Sequence, residues 1–290
     1  MAYTSPEEIW VEHRESTRGR DLDITGLSYA HLDQTPEQWP MREGATHGQA
    51  RLYEDGVFAT ANGHAKFAAL PYVPTAEVRE SRFPFSLNTG RLRDQWHGMT
   101  RTGLVGKLFG HVPEPVVQLH PDDMARLGFD EGTLVHVTSK RGSIVLPAQA
   151  SADLGVNQAF IAMHWGAAFL SGRDHQNKPL AGVNAITTSA YCPNSKQPEL
   201  KHTAIKLEKI ELPWKMTVMR PCHNLQTLEA MRNLLPQFTQ ASCGLFGRES
   251  AENASGMLIF RAAHEQAIDN DLIEQIDTIL GMTDEMPCLN

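Results

Sequence analysis

The sequence predicts a mainly β, α+β protein in which a small β-barrel is followed by a ferredoxin-like βαββα unit. Between residues 83 and 212, short β-runs alternate with turns and a single short helix. Residues 214–281 follow the order strand, helix, strand, strand, helix. A chain of 290 residues exceeds one typical domain. We therefore predict three parts: residues 1–80 as the trailing segment of a preceding catalytic domain, residues 81–213 as the barrel, and residues 214–290 as the small α+β domain.

The first 80 residues contain only small structural pieces. Ser5-Pro6-Glu7-Glu8 forms a capping box with proline at the first helical position, which predicts a helix from about Pro6 to Ser16. A shorter helical piece is expected near Thr25 to Leu32. Asn62-Gly63, flanked by residues 57–60 and 64–67, predicts a β-hairpin. These pieces cannot bury a core of their own, so the segment is interpreted as the end of a larger unit or as a wrap around the next domain.

The middle part is predicted to be a barrel because its strands are short and one helix interrupts them. Pro121 begins that helix, Asp122 and Asp123 favour its N-terminus, and Gly128 ends it. One helix among six strands is typical of a small barrel and not of a doubly wound sheet. The predicted strands are 85–87, 116–119, 133–139, 143–150, 158–163 and 202–210.

The last part is predicted to contain two amphipathic helices on a small sheet. Asn224 is expected to cap the first helix, and Asp269 or Asn270 begins the second, which ends at Gly281. Each helix has one apolar face, and these faces consist of Leu225, Leu228, Met231 and Leu235, and of Leu272, Ile273, Ile276, Ile279 and Leu280. The strands are expected at 216–219, 242–246 and 257–261. The order is that of a split βαβ unit without its last strand.

Composition excludes several classes of protein. A net charge of −8 argues against a nucleic-acid partner. No apolar run approaches the ~20 residues of a membrane span, and no signal peptide is apparent, so we expect a soluble cytoplasmic protein. The four cysteines are far apart, without a Cys-x-x-Cys motif, and are interpreted as inert thiols in a reducing compartment.

A glycine- and arginine-rich loop is the most informative segment. Residues 87–103 contain three glycines, three arginines and the pair Trp96-His97, directly after an apolar strand. Glycines allow a ligand to approach the backbone, and arginines offer planar forks to phosphate or carboxylate oxygens. The loop therefore indicates a large, polar, phosphate-bearing cofactor; the alternative is an ordinary surface loop.

Several motifs in order resemble the C-terminal part of the molybdopterin guanine dinucleotide (bis-MGD) oxidoreductases, most closely the assimilatory nitrate reductase catalytic subunit. They are Thr-Gly-Arg-Leu-Arg-Asp-Gln-Trp-His-Gly at 89–98, Met-Thr-Arg-Thr-Gly at 99–103, residues 120–135, Arg141-Gly142, Met-His-Trp-Gly at 163–166, Val183-Asn184 and residues 193–201. The Gln-Trp-His and Met-His-Trp variants favour assimilatory nitrate reductases. The set spans about 120 residues.

The resemblance implies a double-psi β-barrel that covers a molybdenum bis(molybdopterin guanine dinucleotide) cofactor. It assigns pyrophosphate or pterin binding to Arg91 and Arg93, a donor role to His97 and an apolar contact to Met163. The neighbouring His164 is expected to matter more than Met163. Asn184 and Lys201 match single positions that hydrogen-bond the cofactor; the alternatives are a structural His97 and a solvated Lys201. The full set of cofactor-binding residues implied is Thr89, Gly90, Arg91, Leu92, Arg93, Asp94, Gln95, Trp96, His97, Gly98, Met163, Asn184 and Lys201.

Other features of the family are missing from this sequence. It has neither the cysteine cluster of an N-terminal [4Fe–4S] domain nor the cysteine that ligates molybdenum, and Cys192 does not match that ligand site. We therefore interpret the chain as the cofactor-capping part of a larger catalytic subunit. Its expected partners are the rest of that subunit, an electron-donor protein or reductase subunit, and nitrate. A [2Fe–2S] module follows in some relatives. Alone, the chain is expected to be inactive.

Two other hypotheses remain open at this stage. The chain could belong to another bis-MGD enzyme such as a formate dehydrogenase, since residues near molybdenum decide the substrate. It could also be a free-standing cofactor-binding barrel module. Residues 1–80 favour the enzyme fragment, because they resemble the end of a truncated domain.

Overall fold

The computed structural model describes residues 3–172, 178–180, 182–199, 201–222, 225–247 and 256–281. The chain forms two compact units, Met1–Val73 and Pro74–Asn290. The predicted fold class, a closed barrel followed by a small α+β unit, is confirmed. The predicted division at residues 80 and 213 remains a prediction.

The first unit has two helices, α1 (Pro6–Glu15) and α2 (Tyr29–Leu32). The Ser5 hydroxyl caps α1 by accepting a hydrogen bond from the Glu8 N–H at 3.3 Å. The predicted hairpin around Asn62-Gly63 is wrong: the segment turns there, with the Phe58 N–H donating to the Gly63 carbonyl at 2.9 Å, but no strands form. Phe67 is 95% exposed, and an isolated hairpin without a buried face is not stable.

The second unit begins with a closed six-stranded barrel in the order β1-β5-β2-β4-β3-β6. The pairs β1–β5 and β2–β4 are parallel, and the other four pairs are antiparallel. Helix α3 (Pro121–Leu127) follows β2 and ends at Gly128 in the left-handed region, as predicted. The strands are β1 (Phe85–Gly90), β2 (Val117–Leu119), β3 (Leu134–Thr138), β4 (Ser143–Ala150), β5 (Gln158–Ala162) and β6 (Thr203–Lys209).

Strand directions place the long connections of the barrel at one end, here called the loop end. Strands β1 and β5 are parallel and finish together, with Gly90 opposite Ala162. Strand β6 is antiparallel to β1 and therefore starts at that end. Three connections consequently meet there: residues 91–116, 139–142 and 163–202. Helix α3 lies at the opposite end, after β2.

The small α+β unit comprises β7 (Trp214–Cys222), α4 (Leu225–Asn233), β8 (Gln240–Phe246), β9 (Gly256–His264) and α5 (Asn270–Gly281). Strand β9 lies between β7 and β8 and is antiparallel to both, as in a split βαβ unit. The Asp269 carboxylate accepts the Leu272 N–H at 2.8 Å and so begins α5. The predicted cap at Asn224 lies outside the described residues.

The small sheet pairs with the loop after β5 through a short stretch of backbone hydrogen bonds. The Ser171 N–H donates to the Ala241 carbonyl and the Cys243 N–H donates to the Phe169 carbonyl, both at 3.0 Å. Buried side chains of the barrel and of the small unit form one hydrophobic cluster. Within the described ranges the longest helix is α5, with 12 residues, and none has the length and apolar character of a membrane-spanning helix.

Candidate functional site

The predicted binding residues come from distant parts of the sequence, yet all belong to connections at the loop end or to the strand residues that lead into them. Thr89 and Gly90 finish β1, and the segment 91–98 follows them. Met163 directly follows β5. Asn184 lies in a 3₁₀ turn, Val183–Ile186, and Lys201 lies two residues before β6. The topology therefore gathers these positions at one end of the barrel.

The loops after β1 and β5 leave the barrel side by side. The Gly90 carbonyl accepts a hydrogen bond from the Met163 N–H at 2.8 Å, which extends the β1–β5 pairing by one residue. A Cβ on Gly90 would come within 2.8 Å of the Phe160 ring, so a larger residue at this strand end would require that ring to shift. Thr89 is buried and Met163 is half-buried. Residues after Gly90 and after Ala162 are thus held next to each other.

The segment after β1 exposes charged and aromatic groups. Arg93 forms a two-pronged ion pair with Asp94, at 2.8 and 2.9 Å, which lowers the pKa of the Asp94 carboxyl. Arg91 lies over the Trp96 ring, with its guanidinium carbon 5.9 Å from the ring centre. The Trp96 ring meets the His97 ring edge-on at 4.9 Å. Planar cations and an aromatic face are therefore open to a ligand.

Backbone conformation in this segment is unusual. His97, Gly98 and Met99 have φ values of 44°, 61° and 61°, three consecutive residues in the left-handed region. For residues other than glycine this conformation is costly and persists only when the surrounding structure holds it. Met99 is buried and anchors the segment in the core, while His97 is exposed.

Two buried side chains at the loop end have polar atoms without a partner among the described residues. The Gln95 amide donates to the Leu108 carbonyl at 3.1 Å, but its Oε1 accepts nothing. His164 is 3% exposed, and neither ring nitrogen makes a hydrogen bond. Burial, together with the nearby Arg91 charge, lowers the pKa of His164, so the ring is neutral at pH 7. Unpaired buried polar groups are costly, and they are common where a ligand is to bind.

A tight glycine contact within the connection 163–202 fixes the later part of this connection against its start. Gly182 has φ 110° and ψ −169°, a region that is essentially restricted to glycine. The Val183 N–H then donates to the Trp165 carbonyl at 3.1 Å. This positions the turn that carries Asn184, whose side chain is exposed. Lys201 is exposed as well, and its side chain has no hydrogen bond or ion pair with the described residues.

A buried ion pair supports the loop end, and sequence reasoning missed it as an interaction. Arg141, in the turn between β3 and β4, binds the Glu77 carboxylate through both terminal nitrogens, at 2.8 and 3.0 Å. Arg141 also donates to the Ile186 carbonyl at 3.3 Å and to the Thr203 hydroxyl at 2.8 Å. In the sequence, Arg141-Gly142 served only as one of the motifs on which the family resemblance is based. Glu77 carries no local signal, because its partners are distant in sequence.

The electrostatics of Glu77 follow from these contacts. Burial alone would raise the pKa of its carboxyl. The hydrogen bonds from Arg141 and from the Ala204 N–H at 2.9 Å, with the charge of Arg141, outweigh burial and lower it. Glu77 is therefore ionised at pH 7 and holds residues before β1 against the start of β6.

The described residues contain no group of three or more His, Cys, Asp or Glu side chains able to hold a metal ion. Cys192 is half-buried, and its sulfur accepts the Ser195 N–H at 3.4 Å. Hydrogen bonds from Ser195 and Asn194 lower the pKa of this thiol. What the loop end offers is thus a set of cations, amides and an aromatic face, suited to an anionic, planar ligand.

Comparisons with known proteins agree with this geometry. Residues 85–204 match the family described as Molydopterin dinucleotide binding domain. The chain is 34% identical to a nitrate reductase of Shewanella frigidimarina, over 66% of this chain and 22% of that protein. It is 31% identical to the F420-dependent formate dehydrogenase subunit alpha of Methanocaldococcus jannaschii and 29% identical to the assimilatory nitrate reductase catalytic subunit of Bacillus subtilis. These two matches cover 72% and 71% of this chain and 28% of each relative.

The chain therefore spans about a quarter of the length of these curated relatives, with shares of 22% to 28%. The matches confirm the predicted resemblance to part of a molybdopterin oxidoreductase. They give no role to individual side chains.

Proposed function

We propose that this chain, whose barrel belongs to the molydopterin dinucleotide binding family, is the cofactor-binding part of a molybdenum nitrate reductase that works in nitrate assimilation. The observation that carries the proposal is the gathering of Arg91, His97, Asn184 and Lys201 at one end of the barrel, in a chain similar to nitrate reductases. The activity, substrate and partners of the whole protein are part of this proposal.

The residues at the loop end fit a bis-MGD cofactor. The unpartnered Gln95 Oε1 and the His164 ring nitrogens are the kind of groups that a heterocycle with donors and acceptors can satisfy. Arg91, exposed over Trp96, and Lys201 can neutralise pyrophosphate oxygens. Asn184 and His97 can hydrogen-bond the pterin or guanine edges. Arg93 is already paired with Asp94, and it can contact the cofactor either within that pair or after exchanging Asp94 for the cofactor.

In this role the chain binds, orients and encloses, while the cofactor carries the redox chemistry. When bound, the cofactor would supply the two electrons that, together with two protons, convert nitrate to nitrite and water. The partners proposed are the rest of the catalytic subunit, which holds a [4Fe–4S] cluster and the other cofactor face, and an electron-donor protein. The compartment proposed is the cytoplasm.

A second candidate is a formate dehydrogenase of the same cofactor class. The 31% identity to a formate dehydrogenase subunit alpha favours it, over a share of the chain as large as for the nitrate reductases. Both enzymes need the same cofactor-binding barrel, so the loop-end geometry is compatible with either substrate.

The full-length protein that contains this chain tests both candidates. We expect the purified protein to contain molybdenum and to release two guanine nucleotides per molybdenum on acid hydrolysis. It should form nitrite from nitrate with reduced viologen and should not oxidise formate. If the protein contains nucleotide and molybdenum but catalyses only formate oxidation, the second candidate, a formate dehydrogenase, replaces the nitrate reductase. A folded protein without molybdenum or nucleotide would contradict cofactor binding itself.

Replacing Arg91 by alanine is expected to weaken cofactor binding by about 1.5–3 kcal/mol, the value of a charged hydrogen bond. The side chain is exposed and lies over the exposed Trp96 ring, so its loss should leave the fold intact. The measurement is molybdenum and guanine content at equal protein concentration, together with the melting temperature of the cofactor-free protein.

Lys209→Ala is the matched control for that variant. It also removes one exposed positive charge, but from the end of β6 opposite the loop end, where Lys209 pairs with Glu211. We expect unchanged molybdenum content in this control. Full occupancy in Arg91→Ala would show that the loop is structural, and an equal loss in both variants would indicate a general effect of charge.

A further inference from the structure

Arg232, in helix α4 of the small α+β unit, is a buried cation with no role in the site described above. The residue is 9% exposed, and burial lowers its pKa. Its Nε is buried and makes no hydrogen bond. None of the ion pairs among the described residues includes it, although Glu229 lies one turn earlier. A charge held inside a protein without a carboxylate is costly, so its contacts require an explanation.

Those contacts join the two loops that leave the barrel after β1 and β5. A terminal nitrogen of Arg232 donates to the Gly103 carbonyl, in the loop after β1, at 2.9 Å. The guanidinium carbon lies 4.4 Å from the centre of the Phe169 ring, in the loop after β5. One planar group thus binds the backbone of one loop and stacks on a side chain of the other.

The two loops also touch each other at this point. A Cβ on Gly103 would come within 2.6 Å of the Phe169 ring, so the ring lies directly on the Gly103 backbone. Phe169 packs against Phe109 of the first loop and Trp165 of its own loop, with ring centres 6.4 and 6.3 Å apart. The small unit contacts this aromatic cluster with a charged group, the guanidinium of Arg232.

The buried Cys243 thiol beside Arg232 does not supply its counter-charge. Cys243 hydrogen-bonds the guanidinium and Cys222 is close by. Burial raises the pKa of Cys243 to about 12, although Arg232 opposes the rise, so the thiol is neutral at pH 7. The positive charge of Arg232 therefore remains, compensated by the Gly103 carbonyl and the face of the Phe169 ring.

We propose that Arg232 is a positioning residue through which the small α+β unit holds the loops after β1 and β5 in the arrangement that receives the cofactor. The inference rests on the proposed function for what the loops bind. The contacts that Arg232 makes with both loops do not depend on it. It gives residues 214–281 a role, since the sequence alone assigned no chemistry to them.

Amide hydrogen exchange on the 290-residue chain tests the positioning without any cofactor. In Arg232→Met we expect exchange in residues 97–110 and 163–172 to be at least about tenfold faster, because a buried charged hydrogen bond is lost. Strands β3 and β4 should keep their rates. Arg232→Lys, which keeps the charge but not the planar fork, should give a smaller increase in the same two segments.

Arg261→Met is the matched control, because Arg261 also links the small unit to the loop after β1, but through a pair with Glu114 near the surface, at the far end of that loop. It should leave exchange in residues 97–110 and 163–172 unchanged. In the full-length protein, the cofactor should dissociate from Arg232→Met about tenfold faster than from wild type, measured as the loss of protein-bound guanine. Unchanged loop exchange, or faster exchange spread evenly over β3 and β4, would overturn the inference; if the Met variant does not fold, the Lys variant decides by the same criterion. A wild-type protein without nucleotide would contradict only the proposed function.

Discussion

Replacing Gly182 by alanine is expected to destabilise the second unit by about 3 kcal/mol, which corresponds to a melting temperature lower by about 6–12 °C. The residue combines two constraints. Its φ of 110° with ψ of −169° is costly for any residue with a Cβ. An added Cβ would also lie 2.6 Å from the Gly166 Cα and 2.7 Å from the Trp165 carbonyl oxygen, and backbone atoms cannot move aside as flexible side chains do.

Gly166→Ala is the control for that variant, because Gly166 lies across the same bridge but has no atom within 4 Å of an added Cβ. We expect its melting temperature to stay within about 2 °C of wild type. Since the Gly182 contact positions the turn with Asn184, Gly182→Ala should also lower molybdenum content in the full-length protein. Equal melting temperatures for the two variants would contradict the argument from backbone geometry.

The barrel could be predicted from the sequence because its signals are local. Each strand is bounded by turn residues, and helix α3 is marked by Pro121 and Gly128, so the predicted bounds agree with the structure to within a few residues. The order of strands in a closed barrel is different, since it depends on pairings such as Gly90 with Ala162 that no local pattern encodes. The resemblance supplied that information.

The hairpin prediction failed for a physical reason. Asn62-Gly63 does make a turn, but strands need a face to bury, and the residues after the turn are exposed, Leu70 at 77% and Tyr72 at 89%. Turn chemistry sets the direction of the chain without providing the burial that stabilises a strand. The strands of the barrel have that burial, because alternate residues of β1 face the core.

The candidate site could be predicted only in part. The composition of the glycine- and arginine-rich segment indicated a binding site. Asn184 and Lys201 have no distinctive sequence context, and their prediction came from the family resemblance. Glu77, Arg141 and Arg232 were missed as interacting groups because their partners are far away in the chain and each is an ordinary charged residue locally. Their burial gives these side chains a structural role, and the burial of a single charged residue cannot be predicted from a sequence pattern.

The second large effect is expected at the buried ion pair. Arg141→Met should lower the free energy of unfolding at pH 7 by about 3 kcal/mol, because the Glu77 carboxylate then stays buried without its cation. Glu77 is 9% exposed, so water does not replace the lost partner. The variant also loses the hydrogen bonds that Arg141 donates to Thr203 and to the Ile186 carbonyl. Chemical denaturation at fixed pH measures the difference.

The pH dependence separates the two partners of this pair and supplies a further test. In the wild-type protein the pKa of Glu77 is lowered, so its contribution is fully present above the unfolded-state value of about 4.3 and is lost as the pH falls through the folded-state value. Glu77→Gln lacks that contribution, and its deficit should therefore shrink below about pH 4.3. In Arg141→Met the charge and hydrogen bonds of Arg141 no longer oppose burial, so the pKa of Glu77 should rise relative to wild type and lowering the pH should recover part of the lost stability.

Lys140→Met is the control: Lys140 pairs with Glu80 at the surface, where both side chains are nearly half exposed, and its loss should cost no more than about 1 kcal/mol. Its acid recovery should be smaller than that of Arg141→Met, because Lys140 acts on Glu77 through its charge alone. An Arg141→Met deficit equal to that of Lys140→Met, and constant from pH 4 to 8, would show that the Glu77–Arg141 pair does not support the loop end.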